Sequence, residues 1–172
     1  MSTDNTMTLY KLIILSMLDC VSYPLTNAIL SDFLLEKEYT TYFTIQQALS
    51  ELAKENLVTK EQTYNSSYYS LTASGREAYD LFGYTLSPKI RQEITAYLKE
   101  KNHEILEKIS VFTDYAPARE NEYVATCRLM EKNSVLMDLS LTVPNEENAA
   151  RVCAQFQNKN SEIYACLLKQ LL

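Results

Sequence analysis

The chain has 172 residues, of which 47% are hydrophobic and 22% charged, with a formal net charge of −6; these values are ordinary for a soluble globular protein of one large or two small domains. Two glycines and four prolines exclude collagen-like and low-complexity classes, and the sequence has no apolar run of about eighteen residues to suggest a membrane span. The first residues, MSTDNTMTLYKL, lack the basic start and apolar core of a secretory signal, so we expect a cytoplasmic protein.

Three helices are predicted in the N-terminal half. The first covers residues 8–21, where apolar residues are too dense for a one-sided surface helix and indicate a mostly buried one. Pro24 prevents its continuation, and Thr26 can cap a second helix that ends near Lys37. A third helix carries an apolar stripe at helical spacing, which predicts a buried face. That stripe consists of Ile45, Ala48, Leu49, Leu52 and Ala53.

A β-hairpin is predicted after the third helix. Residues 57–63 and 68–71 have the composition of strands, and the turn cluster Asn65-Ser66-Ser67 lies between them. A fourth helix, residues 73–84, follows. Three helices, a two-stranded hairpin and a helix form the order typical of a winged helix-turn-helix, which predicts such a domain over residues 1–86.

The fourth helix has a start signal of its own. Thr72 can accept a backbone N–H in the first turn, and Gly75 permits close packing against the hairpin. We expect three apolar side chains of this helix to be buried, namely Ala78, Leu81 and Phe82.

A second domain is predicted over residues 87–172. Ser87 can cap a long helix, and Pro88 suits its first position. This helix is expected to reach about Phe112. The charged segment DYAPAREN, residues 114–121, is predicted to be a loop.

An antiparallel hairpin is predicted beyond that loop. Residues 122–130 and 135–143 are its strands, joined by a turn at residues 131–134, and the second strand alternates apolar and polar residues. Two amphipathic helices, residues 146–158 and 161–172, can cover it. The predicted fold class is therefore α+β, with an N-terminal winged helix-turn-helix and a C-terminal α+β lobe in which helices cover a two-stranded hairpin.

The sequence resembles known regulators in two ways. The segment LVTKEQTYNSSYYSLTASGREAY resembles the wing and following helix of winged-helix regulators, with a PadR- or MarR-like local pattern. The whole chain, from YKLIILSMLDCVSYPLT through LEKEYTTYFTIQQALSEL to VLMDLSLTVP, more closely resembles an uncharacterised bacterial family, a domain of unknown function grouped with winged-helix transcriptional regulators. The resemblance implies a DNA-binding N-terminal half whose third helix enters the major groove, and it assigns no catalytic residue.

Candidate DNA-binding residues lie at the start of the third helix, on its outward face and on the hairpin. Glutamine can pair with adenine in the major groove, while hydroxyl groups and lysines can contact phosphate. The predicted set is Thr41, Tyr42, Thr44, Gln46, Gln47, Ser50, Lys54, Lys60, Tyr64 and Asn65.

The distribution of charge bears on DNA binding. Residues 1–87 hold five basic and ten acidic side chains, a net charge of −5, and residues 88–172 have a net charge of −1. DNA-reading domains are expected to carry a basic stripe, because Lys and Arg displace counterions at phosphates. A homodimer doubles the contacts and matches a palindromic operator, so self-association is also predicted.

The alternative function is a winged-helix module that binds protein and not DNA. Tyrosine offers a large contact area with a polar tip, as interface anchors require. Some of the candidate tyrosines are equally expected to pack between the hairpin and a helix. The candidates are Tyr39, Tyr42, Tyr64, Tyr68 and Tyr69.

Two compatible roles are open for the C-terminal domain. It could enclose a pocket for a small-molecule effector lined by Cys127, Met130 and Met137, or it could form a dimer through the long helix and the leucine-rich segment LLKQLL. Dimerisation is favoured, because most soluble oligomers are symmetric dimers.

No enzyme, cofactor or metal site is predicted. The single histidine, His103, lies beside Glu100 and Glu104 on a predicted helix, where a solvated side chain is the common explanation. P-loop, GxSxG and HExxH motifs are missing from the sequence. The four cysteines form no CxxC pair, which favours buried thiols over a zinc site or disulfides.

Overall fold

The computed structural model describes residues 3–131 and 134–172. They form helices and two small antiparallel sheets, one in each of two compact units, Met1–Ile105 and Leu106–Leu172. This confirms the predicted fold class in its coarse form, a mixture of α and β elements. In chain order the elements are α1 (Thr3–Asp19), β1 (Leu25–Thr26), α2 (Asn27–Glu36), α3 (Tyr42–Lys54), β2 (Val58–Gln62), β3 (Ser67–Leu71), α4 (Ala73–Phe82), a 3₁₀ turn (Gly83–Thr85), α5 (Pro88–Ser110), β4 (Val111–Arg119), β5 (Glu122–Glu131), β6 (Ser134–Val143) and α6 (Glu146–Leu171).

Side-chain caps begin α2 and α3. The hydroxyl of Thr26 accepts the Ile29 N–H at 3.3 Å, and that of Thr41 accepts the Thr44 N–H at 3.5 Å. Each bond satisfies one of the N–H groups that a helix leaves without an internal partner. The cap predicted at Thr26 is confirmed.

Both helices end in the same backbone motif. Glu38, with φ of 54°, takes the left-handed conformation after α2, where its N–H donates to the Leu35 carbonyl at 3.0 Å. The next N–H, that of Tyr39, reaches back to the Leu34 carbonyl at 2.9 Å. Asn56, with φ of 57°, takes the same left-handed conformation after α3. These paired bonds are the Schellman arrangement, which stops a helix sharply and lets α3 follow α2 after a short turn.

The core of the first unit is built around α1, whose residues 12–18 are all buried, as its dense apolar sequence predicted. Ion pairs near the middle and at the C-terminal end of α1 tie it to two other helices. Lys11 contacts Glu51 of α3 at 3.0 Å, and Asp19 contacts Arg76 of α4 at 2.7 Å. The orientation of α3 is therefore fixed by both apolar and charged contacts with α1.

The first sheet has the strand order β1-β3-β2. The hairpin β2–β3 was predicted, but the two-residue strand β1 was not; it pairs Leu25 with Tyr69 and Thr26 with Tyr68. Because β1 leads directly into α2, this pairing attaches the start of that helix to the hairpin.

The burial predicted for α4 is wrong at two of three positions. Ala78 is partly buried, but Leu81 and Phe82 are 66% and 55% exposed. The helix turns another face to α1, where the Tyr79 hydroxyl lies 2.9 Å from that of Ser16. Leu81 lies away from this contact, and Phe82 is the last residue before the 3₁₀ turn.

The first part of α5 packs within the first unit. Ser87 caps it, accepting the Ile90 N–H at 3.3 Å. The Tyr97 hydroxyl donates to the Ile29 carbonyl of α2 at 3.2 Å, and its ring centroid lies 5.1 Å from that of Phe33. The boundary predicted at residues 86 and 87 thus marks the start of α5, whereas the compact units divide within this helix.

The second unit contains a three-stranded sheet, order β4-β5-β6, where a two-stranded hairpin was predicted. The predicted loop, residues 114–121, is largely strand β4, and the predicted helix end at Phe112 lies in the same strand. Pro117 suits β4 because an edge strand can present its proline away from the ladder. The turn predicted at residues 131–134 includes Lys132 and Asn133, which lie outside the described residues.

One long helix, α6, covers one face of this sheet. The predicted break between two helices, at residues 159–160, is confirmed as a kink: Lys159 has non-helical dihedrals (φ −126°, ψ 16°), and the two helical segments on either side of it make up the 26 residues of α6. Its buried residues pack on β5 in two clusters, one of Ala125, Ala149 and Cys153 and the other of Cys127, Leu129 and Phe156.

Within residues 3–131 and 134–172, the structure has no helix whose length and apolar content suit a membrane crossing.

Candidate nucleic-acid interface

The two faces of α3 differ sharply. Ile45, Ala48, Leu49 and Leu52 are buried, which turns the opposite side of the helix to solvent. Four exposed residues share that side: Phe43, Gln47, Ser50 and Lys54. At about 100° per residue around the helix axis, these residues lie within roughly 40° of one line parallel to that axis. Along the axis they extend over about 16 Å. We call these four residues the α3 stripe.

An open groove of about 350 Å³ lies between α3 and the hairpin β2–β3. Lys60 of β2 reaches it because its strand partner is Tyr69, and paired residues of antiparallel strands point to the same face. Two lysines therefore stand in one groove, one from α3 and one from the hairpin. The lining residues are Gln46, Leu49, Ser50, Ala53, Lys54, Lys60 and Tyr69.

The lysines of this groove differ from other cations of the first unit. Lys11 and Arg76 are held by carboxylates of neighbouring helices. Across the part of the chain that the structure describes, Lys54 and Lys60 take part in no ion pair. Their ammonium groups are exposed and available to a phosphate.

The start of α3 is fixed by its cap. The hydroxyls of Thr41 and Thr44 lie 3.0 Å apart, so each already has a partner within the protein. Tyr42 is 52% exposed, and its ring meets that of Phe43 edge to face at a centroid distance of 6.3 Å. These contacts order the first turn of α3, which carries several of the candidate binding residues.

Gln46 differs from the other predicted residues of α3. Its amide is bonded to Asn27 in both directions, at 2.8 and 3.0 Å, and contacts the Ser31 hydroxyl at 3.4 Å. These bonds join α3 to α2, so we assign Gln46 to positioning the helices. Sequence spacing gave no sign of this network, because its members lie 15 and 19 residues away.

Gln47 is exposed but oriented by a neighbour. Its amide donates to Glu51 at 2.9 Å, and Glu51 also accepts from Lys11. The hydrogen bond from Gln47, followed by that from Lys11, lowers the pKa of the Glu51 carboxyl.

The hairpin tip is tightly bonded. The Thr63 N–H donates to the Ser66 carbonyl at 2.8 Å, and the Ser66 N–H donates back to the Thr63 hydroxyl at 3.1 Å. Asn65 accepts from the same hydroxyl at 3.0 Å, while Tyr64 is 39% exposed. The predicted residues Tyr64 and Asn65 thus occupy a short tip closed by hydrogen bonds.

The candidate protein-binding tyrosines divide by exposure. Tyr69 is only 3% exposed, Tyr68 is partly buried, and Tyr39 donates to Glu93 of α5. Burial, together with that bond, raises the pKa of Tyr39 to about 12. Tyr42 and Tyr64 remain exposed at the surface.

Two of the residues proposed to line an effector pocket, Cys127 and Met137, belong to a packed cluster of the second unit. Cys127 is fully buried beside Leu129 and Phe156, and Met137 packs against this cluster. Burial raises the pKa of the Cys127 thiol to about 12. These side chains therefore belong to the packed interior between the sheet and α6.

Comparison with known protein families matches residues 10–171 to a domain of unknown function, DUF4364. The chain belongs to the DUF4364 family. A solved structure of a MarR-family transcriptional regulator from Silicibacter pomeroyi is similar over 56% of this chain and 71% of that chain, with 25% sequence identity and a TM-score of 0.37. No curated protein matches the chain.

One member of the α3 stripe in this DUF4364 chain, Phe43, is not among the DNA-binding residues predicted from the sequence. Phe43 is 85% exposed, and it is the first member of the α3 stripe. A phenylalanine is ordinarily expected in the interior, so its residue type alone does not mark it as part of a polar binding face. The signal was present, since helical spacing places residue 43 off the apolar line that begins at Ile45.

Proposed function

We propose that this DUF4364 protein is a transcriptional regulator that binds operator DNA through a winged helix-turn-helix. In this proposal α2 and α3 are the helix-turn-helix, the hairpin β2–β3 is the wing, and α3 lies in the major groove. The proposal includes no catalysis and no cofactor. It places the protein in the cytoplasm, where its DNA is.

The observation that carries the proposal is the α3 stripe beside a groove with two available lysines. The major groove is about 12 Å wide and admits one α-helix, and the stripe of about 16 Å spans roughly five base-pair rises. Gln47 is assigned to an adenine edge and Ser50 to a base or phosphate. Lys54 and Lys60, which lie in the same groove of the protein, are assigned to phosphates of the DNA backbone.

The acidity of the chain supports a dimer within the same proposal. Two ammonium groups per copy give a weak electrostatic contribution, against a net charge of −6. Two copies on one palindrome double these contacts. An exposed apolar surface suited to self-association lies at the end of α6, where Leu167, Leu168 and Leu171 are 36%, 39% and 78% exposed.

The test is a selection of genomic DNA fragments by the purified full chain, at low salt and at about 0.15 M salt. We expect one palindromic sequence to be enriched and to persist at the higher salt. A matched selection with Lys54→Ala plus Lys60→Ala should lose it. Recovery of fragments without sequence preference, or of none, would refute the proposed function.

A second candidate function is binding of a protein partner through the same face. The aromatic pair Tyr42 and Phe43, both exposed, favours it, because exposed aromatic side chains are typical anchors of protein interfaces. Such an association would be nearly insensitive to salt, whereas DNA binding weakens steeply as salt rises. The DNA proposal has the additional support of Lys54 and Lys60.

A further inference from the structure

Phe43 is more exposed than any other aromatic side chain that the structure describes, at 85%. It lies in the first turn of α3, and the buried face of this helix is complete without it. An apolar ring that is 85% exposed adds almost nothing to the buried core. Its place in line with Gln47, Ser50 and Lys54 associates it with whatever α3 binds.

We propose that Phe43 contacts the C5-methyl group of a thymine in the operator and makes that thymine a determinant of specificity. This inference rests on the proposed function. Of the four bases, only thymine presents a methyl group in the major groove, and phenylalanine is among the side chains that recognise it by apolar contact. The contact removes both the ring and the methyl group from water.

The spacing along α3 supports this assignment. Phe43 and Gln47 are separated by one helical turn, about 6 Å, which corresponds to roughly two base-pair rises. Recognition helices contact bases mainly through their N-terminal residues, and Phe43 is the second residue of α3. Gln47 would then bind an adenine while Phe43 contacts a thymine methyl one or two steps away.

The helical turn that carries the ring is formed before DNA arrives. The edge-to-face contact with Tyr42 and the Thr41 cap restrict the first turn of α3. A turn that is already ordered loses less conformational entropy on binding than a disordered one. This favours a defined contact with one methyl group over general apolar adhesion.

The test replaces each thymine of the selected duplex, one position at a time, with deoxyuridine, which lacks only the methyl group. Affinity is measured by fluorescence anisotropy at fixed salt with the full chain. Replacement at one position per half-site should weaken binding about fourfold, which is the effect expected from losing one buried methyl group. Phe43→Ala should bind the thymine and deoxyuridine duplexes equally, while Phe82→Ala, at another exposed phenylalanine, should retain the fourfold ratio.

The possible outcomes separate the two proposals. Specific binding that is indifferent to deoxyuridine at every position, or a Phe43→Ala variant that keeps the wild-type ratio, would overturn the inference and leave the DNA-binding function intact. Absence of any specific duplex would overturn both. In that case capture of a protein partner that depends on Phe43 would identify the ring as a protein anchor.

Discussion

Gly75 shows how a single hydrogen atom permits a contact between elements. A β-carbon placed on it would lie 1.9 Å from the carbonyl oxygen of Leu57, which follows α3, and 2.9 Å from a methyl carbon of Leu71. The same carbonyl accepts the Thr72 N–H at 3.2 Å and the Thr72 hydroxyl at 2.9 Å, so it cannot move away without losing both hydrogen bonds. Glycine is required here by space.

We therefore expect Gly75→Ala to destabilise the chain by about 3 kcal/mol, because the clash is with backbone and not with a flexible side chain. Chemical unfolding followed by circular dichroism measures it. The control is Ser74→Ala, an exposed neighbour in the same turn, which should change stability by less than about 0.5 kcal/mol. Equal stability of the two variants would contradict the close approach of α4 and the Leu57 carbonyl.

Tyr39 gives the first unit a dependence on alkaline pH. Burial, with the bond to Glu93, raises its pKa to about 12 in the folded chain, whereas a tyrosine in the unfolded chain ionises near pH 10. The native state keeps a proton that the unfolded state has lost. The stabilisation is therefore complete below about pH 10 and is lost as the pH rises towards 12.

Replacing Tyr39 with Phe should remove part of this alkaline loss and cost about 1 kcal/mol at neutral pH through the missing hydrogen bond. Urea midpoints at pH 7, 9 and 11 test both effects. Tyr84→Phe, at a side chain 76% exposed, should behave as wild type. If the stability of Tyr39→Phe fell between pH 9 and 11 as steeply as that of wild type, the assignment would be wrong.

At the scale of elements, α3 carries the proposed readout, and its exposed face can be altered without disturbing its buried face. Gln47→Ala plus Lys54→Ala should weaken operator binding at least about tenfold, since a base pairing and a phosphate contact are removed. Stability should change little because both side chains are exposed. Lys99→Ala, an exposed cation of α5, is the control, and anisotropy titrations with melting curves compare the three proteins.

Two results would conflict with this assignment. Unchanged affinity in the folded double variant would exclude the outward face of α3 from the interface. A loss of operator affinity equal to that of Lys99→Ala would indicate only a general effect of the lost positive charge. The salt dependence separates these cases, because each lost phosphate contact lowers its slope by about one.

The elements that sequence reasoning located are those with local signals. Caps at Thr26, Thr72 and Ser87 mark helix starts, and helical spacing of apolar residues gives the buried face of α3. Strand β4 was missed because its charged residues and Pro117 resemble a loop, and only its pairing with β5 makes it a strand. Such pairing is a long-range property.

The candidate site was predictable to a similar degree. Helical spacing correctly placed Gln47, Ser50 and Lys54 on an exposed face, and the structure brings Lys60 into the same groove. Gln46 shares that spacing but is bonded to α2, which the pattern of its own helix cannot show. The prediction that Leu81 and Phe82 lie in the core was wrong. Apolar periodicity identifies a helix face but does not show whether another element packs against it.

At the scale of the whole molecule, the proposed function depends on self-association. One copy offers two groove lysines to DNA, and the chain carries a net charge of −6, so specific binding at physiological salt requires the contacts of a second copy. The leucines at the end of α6 offer an exposed apolar surface for it. Wild-type protein is expected to be a dimer at micromolar concentration.

The variant Leu168→Glu plus Leu171→Glu should be monomeric in sedimentation experiments, because two carboxylates in a buried apolar interface would lose their hydration. Lys169→Glu, which changes the net charge by the same amount on the same helix, should remain dimeric. The monomeric variant should bind an isolated half-site as wild type does and a full palindrome much more weakly, since only the second, linked contact is lost. A dimeric double variant would place the interface elsewhere. A monomeric wild type that still binds the palindrome tightly would show that α3 and the hairpin suffice without a partner copy.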